Sequence, residues 1–427
     1  MGYKIGVLGC GNFGVHFVEL FNAHPLVDEV VPADMRRERA EEMAKTYGLR
    51  RVMTSLDELC ASDVDAIALF SQRWLHAPQA IQALEAGKHV YSAVPAAVTV
   101  EELDELVKTV EETGLTYNLG ETSYYRPQTI YCRRKFAEGY FGDFVYGEGH
   151  YYHDMANFYR FFHFSGGEEW KRTASFPPML YPTHSVSHVL GVTFRRMTEV
   201  ACFGYEDHHP DGVFDPSISL WKNPFSNETG LFRTSDGGTA RINEYRRVGA
   251  GESRQTTMGT LGAYEEHAGG AVLTHLNIPE HDWSAGDPDT YKLMDETTRD
   301  KEDASWVRDL PGVEITEENL GDLPRSFIGR VHNDVGPLHP VERLPAEFVG
   351  LPNKHAGSHQ FLVVDFMEAL ETGKLTPNNV WQAARYNAPG IVAHESAMAG
   401  GELRKIPDFG RPPADAVLID ELSRLRE

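Results

Sequence analysis

The sequence predicts an α/β protein with an N-terminal, doubly wound parallel sheet and a C-terminal α+β region built on a large, open, mostly antiparallel sheet. Two observations predict the first part. A glycine-rich turn lies between a short apolar run and a helical pattern, and apolar strands then alternate with helices as far as residue 119. A third observation predicts the second part, because short strands beyond residue 200 are separated by turn sequences such as Asp236-Gly237-Gly238.

The first turn carries the pattern G-x-G-x-x-G between a buried strand and a helix. Gly9 allows the tight turn, Gly11 lets the backbone approach a pyrophosphate, and Gly14 lets the helix pack on the strand. The start of the helix offers free N–H groups and a positive dipole end to phosphates. This context predicts a Rossmann dinucleotide-binding turn, although the same pattern also occurs as a plain glycine-rich turn.

An acidic residue follows the second strand at the distance that a dinucleotide site requires. Residues 30 and 31 lead to Asp34, about 20 residues beyond the last glycine, where a carboxylate holds the ribose hydroxyls of adenosine. The acid favours NAD over NADP. Arg36 and Arg37 follow directly and could reach a 2′-phosphate, so NADP stays open, and the alternative role for Asp34 is to cap a helix.

The remaining elements of the first part follow in order. The sequence predicts a helix that ends at Gly48, strands at residues 64–70, 89–91 and 115–119, helices at 77–86 and 101–113, and a loop at 71–76. Right-handed crossovers place the carboxyl ends of these strands around one nucleotide crevice.

The pattern changes near Glu121, which divides the chain into predicted domains at residues 1–122 and 123–427. In the second domain we predict a helix at residues 125–137, a long strand at 144–152, later strands that include 218–221 and 230–234, and helices at 358–372 and 379–400. Residues 269–352 are polar and aperiodic, which predicts long loops and insertions. The C-terminal helices could pack back on the first domain. An open sheet has one face to cover, so we expect a homo-oligomer, either a dimer or a tetramer.

Composition excludes several classes of function. The chain has 427 residues and a formal net charge of −23, which argues against nucleic acid or an anionic membrane as a partner. No apolar run approaches the length of a membrane span. The first strand begins close to Met1, so we expect no signal peptide. The four cysteines have no metal-like spacing; we expect reduced thiols in a cytoplasmic protein.

A resemblance to a known family emerges from these motifs together. The glycine turn, Asp34, the stretch HAPQAIQALEAGKHVYSAVP and the open sheet resemble the Gfo/Idh/MocA family of NAD(P)-dependent sugar and cyclitol oxidoreductases. In that family the segment after GKHV normally reads E-K-P, and its lysine helps to move the substrate proton. Here the same segment reads Ala93-Val94-Pro95, and valine can neither donate nor accept a proton.

The segments in which this chain differs from the usual family pattern resemble one branch of that family, the NAD-dependent glycosidases typified by α-N-acetylgalactosaminidases. The similar segments are VPAAVTVEE, Gly120-Glu121, EGHYYHD, LYPTH and HAGSHQF. The resemblance implies a hydrolase that retains NAD, oxidises a sugar at C3, eliminates the aglycone, adds water and reduces the ring again. The glycine motif and this resemblance together place the cofactor against Gly9, Gly11, Asn12, Phe13, Gly14, Asp34, Met35, Arg36, Phe70, Ser71, Trp74, His76, Ala93 and Val94.

Such a mechanism needs a base for the C3 hydroxyl, a second base for the C2 hydrogen and a group that assists the leaving oxygen. The resemblance places Tyr181 and His184 by the sugar. Tyr151 and His153 are two apart on a strand and therefore share a face. A tyrosine suits the C2 base only if its pKa is lowered. Glu121 lies where the crevice opens. The alternatives are that the tyrosines are core aromatics and that Glu121 caps a helix.

His184 and His188 are four residues apart, which is also a metal-ligand spacing, but no H-E-x-x-H pattern accompanies them, so we predict no metal site. His188 falls where ordinary dehydrogenases of the family carry their substrate histidine. This keeps open an NAD-dependent sugar dehydrogenase that uses His188 or His184 as base. A third hypothesis is a non-catalytic sugar-binding regulator, which the density of tyrosine and histidine near the crevice disfavours.

Overall fold

The computed structural model describes residues 2–267, 270–276, 292–294, 332–336 and 338–426. Its first sheet has five parallel strands in the order β2-β1-β3-β4-β5. The strands are β1 (Tyr3–Leu8), β2 (Val27–Ala33), β3 (Ala66–Leu69), β4 (His89–Ser92) and β5 (Tyr117–Leu119). Because these strands are covered on both faces, they consist mostly of buried apolar residues.

Helices connect the strands of this sheet. They are α1 (Gly14–Ala23), α2 (Arg37–Tyr47), α3 (Leu56–Ala61), α4 (His76–Glu85) and α5 (Val100–Thr113). Local signals set their ends: Gly48 ends α2 in the left-handed region at φ 67°, and Thr99 opens α5 with a capping box to Glu102. The predicted doubly wound α/β fold is confirmed, with element ends shifted by one or two residues.

The second sheet has nine strands within the described ranges, in the order β13-β12-β11-β10-β6-β9-β8-β7-β14. These are β6 (Phe144–Tyr152), β7 (Met197–Glu206), β8 (Phe225–Thr234), β9 (Thr239–Tyr245), β10 (Glu252–Gly259), β11 (Gly262–His267), β12 (Gly270–His275), β13 (Lys292–Met294) and β14 (Arg404–Lys405). Every neighbouring pair is antiparallel except β6 and β9, which are parallel. The predicted open, mostly antiparallel sheet is therefore confirmed.

Six further helices are described: α6 (Pro127–Ala137), α7 (Tyr159–Gly166), α8 (Lys171–Ala174), α9 (Thr183–Thr193), α10 (Lys354–Thr372) and α11 (Val380–Met398). All residues of α9 are buried, since it lies between the second sheet and neighbouring helices. It approaches β6 so closely that a Cβ on Gly149 would lie 1.8 Å from the Ser185 carbonyl oxygen. Glycine at this position therefore brings α9 down onto the sheet.

The two late helices contact the first sheet. The Tyr3 hydroxyl donates to the Leu370 carbonyl at 2.9 Å, at the end of α10. On α11, the Asn387 side chain accepts from the Ala96 N–H at 2.7 Å and donates to the Ala97 carbonyl at 3.0 Å. The first bond attaches α10 to the amino end of β1, and the other two attach α11 to the loop after β4.

Two predictions for the second part need correction. The predicted strand at residues 218–221 is wrong, because Asp215 accepts hydrogen bonds from the backbone and hydroxyl of Ser217 and the segment forms turns. The predicted loops at 269–352 are wrong where β12 and β13 lie. Between these strands and residue 332 the prediction lies outside the described residues. From residue 338 to 352 the chain has no helix or strand longer than two short 3-10 turns, at Val341–Arg343 and Ala346–Phe348, which agrees with the predicted loop. No helix in the described ranges is long and apolar enough to cross a membrane.

Candidate active site

The three glycines of the first turn have different surroundings. Gly9 has φ +101°, and a Cβ there would lie 2.5 Å from the Phe70 carbonyl oxygen; a Cβ on Gly14 would lie 2.3 Å from the Gly9 carbonyl oxygen. The protein's own backbone therefore requires these two glycines. A Cβ on Gly11 would meet no protein atom within 4 Å. The open space beside Gly11 is the cradle that a pyrophosphate needs.

Asp34 lies directly after β2, beside this turn. Its two carboxylate oxygens accept hydrogen bonds from the N–H groups of Cys10 at 3.0 Å and Arg36 at 2.9 Å. The two bonds fix the carboxylate at the mouth of the glycine turn and leave lone pairs on both oxygens. Asp34 is therefore arranged to accept hydrogen bonds from a ribose, so the residues present fit an NAD-type dinucleotide.

A cavity of about 1180 Å³ opens beside the turn, and we call it the first cavity. The glycine turn and α2 form one side of it, and Phe158, Phe161 and Phe164, at and near α7, form an aromatic wall on the other. The guanidinium groups of Arg36 and Arg39 lie 5.1 and 4.9 Å from the centre of the Phe164 ring. These cation–π contacts connect the aromatic wall to the β2–α2 segment.

The predicted cofactor residues do not all reach this cavity. Four of them line it: Gly11, Asn12, Phe13 and Ser71. The others are not among its lining residues: Gly9, Gly14, Asp34, Met35, Arg36, Phe70, Trp74, His76, Ala93 and Val94. Asp34 is connected to the cavity through Cys10, a lining residue whose N–H it accepts. Met35 is 90% exposed and points to solvent. Trp74 packs on Trp221, with ring centres 5.3 Å apart. Ala93 and Val94 are buried.

The ring of His76 contacts backbone groups of two neighbouring loops rather than a cavity. Its Nδ1 lies 2.8 Å from the Pro95 carbonyl oxygen and its Nε2 lies 3.2 Å from the Ser71 carbonyl oxygen. Burial lowers the pKa of His76 to about 4, so the ring is neutral at pH 7. The neutral imidazole lies between the loops after β3 and β4 and donates its single N–H to one of these two carbonyls. Val94, next to Pro95, belongs to the apolar core.

A second cavity of about 390 Å³ lies next to the first, and we call it the second cavity. Its lining residues are Thr122, Ser123, Arg126, Gln128, Tyr151, His184, Ser253, Glu266, His355 and Ala356. Phe13, which lines the first cavity, and His355, which lines the second, have ring centres 5.9 Å apart, so this pair of side chains lies between the two cavities. Two of the predicted catalytic residues, Tyr151 and His184, therefore face a space adjoining the cofactor cleft.

Glu121 and His184 form a buried pair at the wall of the second cavity. Glu121 Oε1 lies 2.8 Å from His184 Nδ1 and also accepts from the Ser123 N–H at 2.7 Å. Burial alone would raise the pKa of Glu121, but the charge and hydrogen bond of His184 outweigh it and the pKa lies below its ordinary value. When His184 is neutral, the ionised Glu121 holds the imidazole proton on Nδ1, and only in that state is Nε2 a proton acceptor.

Two tyrosines surround this histidine. The ring centres of Tyr151 and Tyr181 lie 5.0 and 5.2 Å from that of His184. The Arg246 guanidinium lies 5.1 Å from the centre of the Tyr151 ring. Burial raises the pKa of Tyr151, with a further contribution from Tyr181, and Arg246 offsets only part of this. The condition that its pKa be lowered is therefore not met by the protein alone.

His188 and His153 are placed differently from His184. Arg126 donates to His188 Nε2 at 3.2 Å, and burial, followed by Arg126, lowers the pKa of His188 well below its ordinary value. His188 is thus neutral and lies behind Arg126. His153 has its ring 5.6 Å from that of Tyr151, and its Nδ1 lies 3.2 Å from the Asp154 carbonyl oxygen.

Several residues of the site have no signal in the sequence. Arg126 pairs with Glu266 on β11 at 3.1 Å, and Arg246, directly after β9, pairs with the buried Glu244 of the same strand at 2.6 Å. Burial raises the pKa of Glu244 to about 7. His355 belongs to the HAGSHQF segment. That segment contributed to the resemblance to NAD-dependent glycosidases, but the sequence assigned no role to this histidine. No group of three or more metal-ligating side chains occurs within the described part of the chain.

Comparison with known proteins agrees with this geometry. Residues 3–121 match the family described as "Oxidoreductase family, NAD-binding Rossmann fold". The N-terminal region thus matches the NAD-binding part of the Gfo/Idh/MocA family, as its motifs predict.

Over most of its length the chain is similar to proteins described as glycosidases. It is 25% identical to a "Glycosyl hydrolase family 109 protein" of Streptomyces filamentosus, over 96% of this chain and 77% of the relative. It is also 25% identical to an "Alpha-N-acetylgalactosaminidase" of Tannerella forsythia, over 82% of this chain and 71% of the relative. Among solved structures, a levoglucosan dehydrogenase in complex with NADH superposes with a TM-score of 0.66 at 16% identity, over 96% of this chain and all (100%) of that one, which shows the shared fold.

Proposed function

We propose that the protein is an NAD-dependent glycoside hydrolase that acts by transient oxidation of a sugar at C3. One observation carries this proposal. The Glu121–His184 pair opens into a cavity that adjoins the dinucleotide cleft, while the position of the usual dehydrogenase lysine is the buried Val94. The similarity to family 109 glycosidases over nearly the whole chain supports it. The substrate class that these relatives suggest is an α-N-acetylgalactosaminide.

The chain's own residues would hold the cofactor at the first cavity. Asp34 accepts from the ribose hydroxyls, the turn around Gly11 receives the pyrophosphate, and the aromatic wall covers the opposite side. When bound, NAD supplies reversible hydride acceptance next to the sugar. Because a hydrolase returns the cofactor to its starting form, the protein has no need to release it, and we expect NAD to remain bound through purification.

His184 is the proposed base for the C3 hydroxyl. Glu121 accepts its Nδ1–H, so Nε2 takes the hydroxyl proton and the carboxylate stabilises the resulting imidazolium. Tyr181 packs on the imidazole with its ring inclined by 71° and acts as a positioning residue. His188 is less suited to this role because its Nε2 already accepts from Arg126.

Tyr151 is the proposed second base, which removes the C2 hydrogen once C3 is a ketone. It shares the second cavity with His184, and the Arg246 guanidinium over its ring favours the phenolate but offsets only part of the effect of burial. The role of base therefore requires the additional positive charge that an oxidised cofactor would bring to the site. Loss of the C2 proton expels the aglycone from C1, and the aglycone leaves as an alcohol once it is protonated. Water then adds at C1 as C2 regains a proton, and the C3 ketone would be reduced again by the hydride taken up in the first step. No net oxidation of the sugar results. The roles of Glu121, Tyr151, Tyr181 and His184 all belong to this proposal.

The test uses protein isolated without added nucleotide. Denaturation should release NAD, and aryl glycosides should yield phenol with no lasting rise in reduced cofactor. In heavy water the released sugar should carry deuterium at C2, which direct displacement by two carboxylates does not produce. If free sugar instead gives steady accumulation of NADH and no glycoside is cleaved, the sugar dehydrogenase alternative is correct.

We further propose that the chain forms a homo-oligomer, a dimer or tetramer, through the outer face of the second sheet. Phe203, Tyr205 and Leu231 lie on that face with 66, 60 and 61% exposure. We retain residues 1–122 and 123–427 as the proposed domains. A cytoplasmic location is also proposed, and the four free cysteines are consistent with a reducing compartment.

A further inference from the structure

We propose that His355 is a substrate-binding residue, whose imidazole donates a hydrogen bond from Nε2 to an oxygen of the carbohydrate, with His359 as the positioning residue that orients it. The inference rests on the proposed function in one respect, that a carbohydrate occupies the second cavity. It assigns to the HAGSH segment a role that neither the Glu121–His184 pair nor Tyr151 fulfils.

The backbone presents His355 in an unusual way. His355 and Ala356 have φ values of 55 and 54° and are followed by Gly357 at 83°, so three successive residues are left-handed just inside the start of α10. Non-glycine residues rarely adopt this region, and such strain concentrates at functional sites. The turn places both His355 and Ala356 on the wall of the second cavity.

A second histidine holds the imidazole of His355. His355 Nδ1 lies 2.7 Å from His359 Nε2, and the two rings stack with their centres 4.9 Å apart. His359 is fully buried next to the Phe17 ring, which lies 4.7 Å away, and His359 Nδ1 has no hydrogen-bond partner. Both rings are kept neutral, since burial lowers the pKa of His355 to about 4 and that of His359 well below its ordinary value.

These contacts determine where the protons lie. One of the two facing nitrogens must donate, and a buried N–H without an acceptor is rarer than a buried lone pair without a donor. The proton of His359 is therefore on Nε2 and points to His355 Nδ1. A neutral His355 must then carry its own proton on Nε2, the nitrogen that is not engaged by His359.

The position of His355 determines what this N–H can bind. His184 offers a lone pair to the same cavity, and His355 offers a donor beside the ring of Phe13 in the glycine turn. A neutral donor suits a hydroxyl or carbonyl oxygen, and its hydrogen bond strengthens if that oxygen gains negative charge during the reaction. The pair of histidines thus complements the Glu121–His184 base with a fixed donor.

The experiment compares four variants with wild-type protein isolated with its cofactor: His355→Leu, His355→Gln, His359→Leu and His359→Gln. Glutamine keeps an N–H close to the place of Nε2, whereas leucine removes it. His208→Leu, at a position whose side chain is 83% exposed, is the matched control. We measure kcat and KM on aryl glycosides and the amount of bound NAD.

We expect His355→Leu to lower kcat/KM by about 10²-fold and His355→Gln to recover most of that loss. His359→Leu, which touches no substrate, should lower it by about 10-fold, and His359→Gln should restore it. Bound NAD should not change. The proposal is overturned if His355→Leu matches His208→Leu, if glutamine gives no recovery, or if activity falls only together with bound NAD.

The control for the proposed function is the wild-type protein itself. If it cleaves no glycoside, the hydrolase proposal fails, and the same variants are then ranked by the rate of NADH formation with free sugars. The same order of rates would retain His355 as a substrate-binding residue, and equal rates would reject it.

Discussion

At the scale of single residues, the Glu121–His184 pair makes a direct prediction. Glu121→Gln keeps the size of the side chain and an oxygen for the Ser123 N–H, but its amide cannot stabilise an imidazolium. We expect kcat to fall by roughly 10²–10⁴-fold while bound NAD stays constant. Glu102→Gln, in the capping box of α5, is the matched control and should remain active. Unchanged kcat in Glu121→Gln would show that the carboxylate is only a cap.

At the scale of elements, the outer face of the second sheet makes the next prediction. Phe203 on β7 and Leu231 on β8 lie on the same exposed face, so a lysine at either position would place a charge in an apolar interface. We expect Leu231→Lys to dissociate the oligomer at micromolar concentration in light scattering, and Val417→Lys, at a residue that is 55% exposed elsewhere, to leave its mass unchanged. A monomeric wild type would reject the proposed interface.

At the scale of the whole molecule, buried neutral histidines predict sensitivity to acid. Burial lowers the pKa values of His24, His76 and His339 to about 4, whereas the unfolded chain binds these protons near 6.5. The unfolded state therefore holds more protons between these values, and the free energy of unfolding falls as the pH drops from about 6.5 to 4. Each histidine contributes up to about 1.4 kcal/mol per pH unit.

Glu244 acts in the opposite direction, because burial raises its pKa to about 7 and the stability gained from its protonation is lost as pH rises from 4.5 to 7. In the pH dependence of the unfolding free energy the buried histidines outweigh this carboxyl, because burial also lowers the pKa values of three further histidines. These are His188, His355 and His359. Urea unfolding at several pH values measures the slope of the unfolding free energy against pH. His24→Asn, which keeps an acceptor for the Leu26 N–H, should reduce the slope by about one proton. A slope of zero in the wild type would contradict the assignment of neutral buried histidines.

The sequence predicts those parts of the molecule that local patterns encode. The glycine turn, Asp34 and the alternating strand at residues 144–152 depend on neighbours within a few tens of residues, and their positions agree with the structure. Sequence reasoning failed for residues 218–221, where turn chemistry at Asp215 outweighs strand-forming side chains. It also gave no role to Arg126, whose partner Glu266 is 140 residues away in the chain. The partners of Arg246 and His355 are close in sequence, but the contact of Arg246 with Tyr151 and the place of His355 on the second cavity depend on tertiary packing.

The aromatic wall formed by Phe158, Phe161 and Phe164 has a consequence for the metabolism of the cell. Under the proposed function, a cofactor held between this wall and the glycine turn is neither consumed nor exchanged between turnovers. The ratio of oxidised to reduced nicotinamide nucleotides in the surrounding pool then has no influence on the rate of cleavage. Carbohydrate breakdown by this fold would use redox chemistry and yet be insulated from the redox state of its host.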